Sequence, residues 1–116
     1  MKRSTQPPFW LLFGAGGMLS ALVGAMLVFL TGIAAPLGLF GADRAFTYER
    51  AAAFAHQPLG KLAVAAVIAL FLWHGAHRIY HTLHDFGVRL NAFTWLACYG
   101  VALAGTITAA VALAVV

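Results

Sequence analysis

Three stretches of this chain are long and apolar enough to cross a bilayer, and few residues remain for any other architecture. Residues 9–39 contain no charged side chain, nor do residues 93–116, and a middle stretch at about 62–80 is uncharged until Arg78. A span needs about 20 apolar residues, each rising about 1.5 Å. Only 9% of the 116 residues are charged while 63% are hydrophobic. A soluble domain carries roughly 25% charged residues, so this chain lacks the means to cover a water-facing surface. It reads as an all-α integral membrane protein, one domain over residues 1–116, with three transmembrane helices at about 9–39, 61–84 and 92–116.

The single cysteine, Cys98, excludes an internal disulfide and leaves no CxxC pattern for a structural zinc. The net charge is +4, yet no basic run exceeds Lys2–Arg3, which favours orientation and headgroup contact over nucleic-acid binding. The apolar run after Lys2–Arg3 is too long for a signal-peptide core of about 7–15 residues, so the N-terminus is expected to be retained. Lys2, Arg3, Arg78 and Arg89 on one side slightly outnumber Arg44, Arg50 and Lys61 on the other. That bias predicts a cytoplasmic N-terminus and a periplasmic C-terminus.

Between the first two spans, YERAAAFAH at 48–56 is alanine-rich enough for a short interfacial helix. The link from Asp85 to Asn91 is short, which makes the second and third helices antiparallel neighbours. Gly14, Gly17, Ala21 and Ala25 run down the first helix, and Cys98, Ala102 and Thr106 down the third. Such spacing lets helix backbones approach, and so small a glycine-rich unit needs a partner to pack against.

The polar groups collect at one place. HGAHRIYHTLHDF at 74–86 puts His74, His77, His81 and His84 on one helical stripe, with Arg78 and Asp85 at its edge. Counting from Lys61 at about 1.5 Å per residue, His74 and His77 fall below the membrane surface and His84 and Asp85 reach headgroup or water. His84 and Asp85 then suit a hydrated helix end, and Arg78 can snorkel on its long stem. His77 beside Arg78 is costly at its depth and points to a partner, a cavity or a substrate path. A closed metal site needs about four ligands, and the other two spans contain no His, Asp or Glu to supply them. Haem remains open through His74 or His77.

The first helix enters where the second leaves, so Phe9, Trp10 and Phe13 lie at about the depth of His77 and Arg78. Trp10 can be an ordinary interface anchor. Its spacing with Phe13 and Gly14 also makes one face, two rings with room beside them for a flat ligand. Apolar walls with a few convergent donors describe a small-molecule pocket.

These residues resemble a known family. KRS…FWLLFGAGGM at the N-terminus, APLGLF at 35–40, YER at 48–50 and HR…H..HD at 77–85 closely resemble the D subunit of fumarate reductase. The resemblance covers essentially the whole chain, with the third helix matching only in character. It implies a three-helix membrane anchor in the bacterial inner (cytoplasmic) membrane, paired with the C subunit of fumarate reductase. The pair would attach the flavoprotein (A) subunit and the iron–sulfur (B) subunit, so flavin and iron–sulfur clusters lie outside this chain. It implies a menaquinol oxidation site shared with neighbouring subunits, to which Trp10, Phe13, Gly14, His77 and Arg78 contribute. The glutamate usually assigned to proton handling belongs to the C subunit. No haem is expected in this chain, although related succinate dehydrogenase anchors use histidine pairs for it and His74 has no place in the family pattern. Beside the quinone-site anchor stand a purely structural anchor, a haem-binding anchor of the succinate dehydrogenase type, and a histidine-stripe transporter. The last lacks polar groups through the membrane depth.

Overall fold

A computed structural model describes residues 6–116, with side chains from Pro7 onward; Lys2 and Arg3 lie outside the described residues. Three helices are long and apolar enough to span a membrane: α1 (Pro7–Ala34), α4 (Pro58–Asp85) and α5 (Ala92–Val115). Two short helices, α2 (Ala42–Ala45) and α3 (Tyr48–His56), lie between α1 and α4. The described residues form no strand. The long axis of the molecule, 53 Å, exceeds a hydrocarbon core of about 30 Å, so both ends of the bundle reach headgroup or water.

The first span is shorter than residues 9–39. It ends at Ala34, and residues 35–38 turn before a short 3-10 segment at Leu39–Gly41. Pro36 cannot donate to the helix ladder, and Gly38 and Gly41 adopt left-handed conformations (φ 65° and 72°) that end it. Within α1, Ser20–Gly24 and Leu30–Ala34 are π-helical turns, and Ala35 N–H donates to Leu30 O five residues back at 2.8 Å.

YERAAAFAH forms α3 in full, capped by Thr47, whose side chain accepts from Arg50 N–H. Gln57 is extended, Pro58 opens α4, and Gly60 lies so close to Phe54 that a Cβ there would strike the Phe54 carbonyl. Gly87 (φ 81°) begins the short link to α5. Asn91 then caps α5, its Oδ1 accepting from Thr94 N–H while Thr94 Oγ1 accepts from Asn91 N–H, both at 2.9 Å.

The central helix is α4, which packs along α5 on one side and the first half of α1 on the other. Among the described residues the buried apolar side chains are all alanines, Ala34, Ala42, Ala76 and Ala102, and Gly16 and Gly60 are buried as well. The helices therefore approach through small residues, while large apolar side chains face outward, as suits lipid or a partner chain. The small-residue stripes are only partly contact faces. Ala102 is buried on α5 and Gly17 lies against α4, but Gly14, Ala21 and Ala25 are exposed. The π turn at Ser20–Gly24 winds wider than an α turn, so a spacing of four no longer stays on one face beyond it.

Candidate functional site

The polar cluster occupies the end of the bundle where α1 and α5 begin and α4 finishes. Phe13 on α1 and His77 on α4 stack face to face, their ring centroids 4.0 Å apart and their planes within 10°. His77 Nδ1 lies 2.8 Å from the Tyr99 hydroxyl on α5, and His81 meets His77 edge-on at 4.4 Å. One side chain thus joins all three spans.

His74, one turn deeper, turns toward α1. Its Nδ1 lies 2.9 Å from the Phe13 carbonyl oxygen; a carbonyl only accepts, so this nitrogen carries the proton and donates. The ring rests on Gly17, where a Cβ would come within 2.8 Å of His74 Cε1. At Gly16 a Cβ would sit 2.6 Å from Leu70 O and 2.9 Å from His74 Cβ. The glycines at 16 and 17 are the space that His74 fills, which gives this histidine a role as an interhelical latch beside Phe13.

On the α5 side, Phe9, Phe13, Trp73, His77, Trp95 and Tyr99 line a groove of about 320 Å³. Tyr99 stands among aromatic rings, with Trp95, Tyr80 and Trp73 at centroid distances of 5.3, 5.5 and 6.1 Å. Trp73 Nε1–H donates to Thr106 Oγ1 at 3.1 Å, and that hydroxyl donates to the Ala102 carbonyl at 2.7 Å. Ser20, Thr31 and Thr108, farther from the cluster, bond carbonyls of their own helix. They build no polar path through the bundle.

Of the five residues expected to bind quinone, Phe13 and His77 touch, whereas Trp10, Gly14 and Arg78 do not line that groove. Trp10 is 68% exposed, a Cβ on Gly14 would meet nothing within 4 Å, and Arg78 is exposed. At about 100° per residue, Trp10 and Gly14 are rotated from Phe9 and Phe13 away from α5, and Arg78 is nearly opposite Trp73 and Tyr80. By these angles all three face away from the α5 groove, toward the outer flank of the α1–α4 seam. No group of three or more His, Cys, Asp or Glu among the described residues could hold a metal ion.

Phe9 was expected at this depth but not as a site residue, and Trp73, Trp95 and Tyr99 were not anticipated. Two i,i+4 pairs, Trp73/His77 and Trp95/Tyr99, put aromatic and polar groups on single faces, and that spacing was the one signal that pointed to them.

A family model for the fumarate reductase D subunit matches residues 1–114. The chain is similar to the fumarate reductase D subunit of Vibrio parahaemolyticus, 43% identical over 108 residues that cover 93% of this chain and 84% of that relative. Its counterpart in Vibrio cholerae is 42% identical over 101 residues, covering 87% and 77%. The one in Haemophilus ducreyi is 44% identical over 95 residues, covering 82% and 78%. With three apolar helices and a family match across nearly its full length, the chain belongs to the fumarate reductase D-subunit family, the membrane-anchor subunits of that complex.

Proposed function

We propose that this chain pairs with the C subunit in the bacterial inner membrane and attaches the iron–sulfur and flavoprotein subunits there. Its N-terminus is cytoplasmic and its C-terminus periplasmic. At the cytoplasmic end it lines a menaquinol oxidation site with Trp10, Phe13, Gly14, His77 and Arg78. The observation that supports this most is the Phe13–His77 stack, 4.0 Å between rings, at the polar end of an otherwise apolar bundle. Phe13 holds the imidazole plane fixed. On the adjoining flank, Trp10 offers a flat apolar wall, Gly14 leaves room, and Arg78 supplies permanent positive charge.

Menaquinol, when bound, supplies two electrons to the iron–sulfur subunit and releases two protons. The residues of this chain orient its ring, restrict water and present donors to its oxygens. Fixed donors in a water-poor pocket favour negative charge on oxygen more than water does. The flank is open in this chain alone, which suits a site completed by neighbouring subunits. Fumarate reduction itself belongs to the flavoprotein.

In the assembled complex, His77→Ala and Arg78→Leu are expected to lower quinol oxidation at least tenfold, a loss of about 1.4 kcal/mol or more in transition-state stabilisation. Fumarate reduction from an artificial electron donor should persist. The exposure of Trp10 and Arg78 also suits lipid-facing anchors, and normal quinol turnover in both variants would leave the chain a purely structural anchor.

A further inference from the structure

Two histidines one turn apart are held by different kinds of partner. His74 Nδ1 faces a backbone carbonyl, which accepts and never donates, so its neutral ring is locked in one tautomer. His77 Nδ1 faces the Tyr99 hydroxyl at 2.8 Å, which can donate or accept. Only His77 can therefore change which ring nitrogen carries its proton without losing its intramolecular bond. Its second nitrogen, Nε2, lies on the ring edge away from Tyr99 and makes no hydrogen bond among the described residues.

We propose that Tyr99 is a positioning residue of the quinone site, whose hydroxyl holds His77 in either tautomer so that Nε2 serves both the reduced and the oxidised ligand. This rests on the quinone-site reading above. For a carbonyl oxygen of the oxidised ring, Tyr99 O–H donates to Nδ1 and Nε2–H donates to the ligand. For a hydroxyl of the reduced ring, Nδ1–H donates to the Tyr99 oxygen and Nε2 accepts from the ligand. Arg78 cannot do this, because a guanidinium has donors only. The hydroxyl needs a fixed position to be effective, and the surrounding rings supply one. Trp95, Tyr80 and Trp73 pack around Tyr99, and Trp73 is itself tied to Thr106. The third helix, which offered no site residue by its sequence, thereby acquires a part in the chemistry at α1 and α4.

The test is Tyr99→Phe in the assembled membrane complex, which removes one oxygen and keeps the ring. Turnover is measured with a short-chain naphthoquinol as donor and, in reverse, with the matching naphthoquinone as acceptor. Both rates are normalised to fumarate reduction from an artificial donor, so that only assembled complex is scored. Loss of one neutral hydrogen bond predicts a fall in kcat of about 3- to 10-fold in both directions. In a His77→Ala background the same substitution should change nothing further, because Tyr99 acts through His77. Wild-type rates in Tyr99→Phe, with His77→Ala still impaired, would overturn this role while the quinone-site reading stands. A fall in one direction alone, or one that persists without His77, would overturn it equally. Normal turnover in His77→Ala would remove the site and this role together.

Discussion

A methyl group added at Gly16 would press on the Leu70 carbonyl and His74 Cβ, whereas one added at Gly14 would meet only open space. Gly16→Val should therefore disrupt the α1–α4 seam itself, seen as loss of this chain from membranes; assembly at wild-type level would show that the seam can widen. Gly14→Val should leave that packing intact and lower quinol turnover at least threefold in the assembled complex, about 0.7 kcal/mol, if a ligand fills the outer flank. Unchanged turnover there would mean that the space is unused. The sequence made the GAGG segment conspicuous but not the difference between its glycines. Apolar spacing shows which residues share a face, whereas the partner of that face is set by tertiary packing. His74 was likewise unplaced because its partner is a main-chain oxygen, which leaves no mark in side-chain patterns.

At the scale of elements, the three spans and α3 were readable because long uncharged runs and an alanine-rich segment leave few alternatives in a membrane. The end of α1 and the drift of its small-residue stripe were not. The turn after Ala34 depends on left-handed backbone at Gly38 and Gly41, and the stripe is displaced by a π turn, SALVG at 20–24, whose composition resembles the rest of the span. The entry to α5 rests on a more legible device, the reciprocal Asn91–Thr94 cap. Asn91→Ala should cost about 1 kcal/mol, measured as a lower midpoint for thermal dissociation of the detergent-solubilised complex. An unchanged midpoint would show that neighbouring subunits hold that helix end without the cap.

For the molecule as a whole, the polar end was legible from the histidine stripe, and of the five expected site residues Phe13 and His77 meet in a ring stack. The aromatic setting around Tyr99 was hidden because it needs α5 to be placed against α4. The proposed orientation is tested by labelling single cysteines in a Cys98→Ala chain. Asp43→Cys should react with an impermeant maleimide on intact spheroplasts, and Val88→Cys only after the membrane is opened; the opposite pattern would invert the topology.

The hydrogen bonds that cross between spans, His74 to Phe13, His77 to Tyr99 and Trp73 to Thr106, all involve α4 residues 73–77 among the described residues. Toward the opposite end, Leu27, Phe54, Val64 and Val67 border an apolar gap of about 350 Å³ with no such fastening among the described residues. The polar fastenings are thus gathered at the histidine end, and the far end is held by apolar contact alone among the described residues. Any separation of the helices as the bilayer changes in thickness is therefore expected at the far end first, with the histidine end the last to lose its geometry.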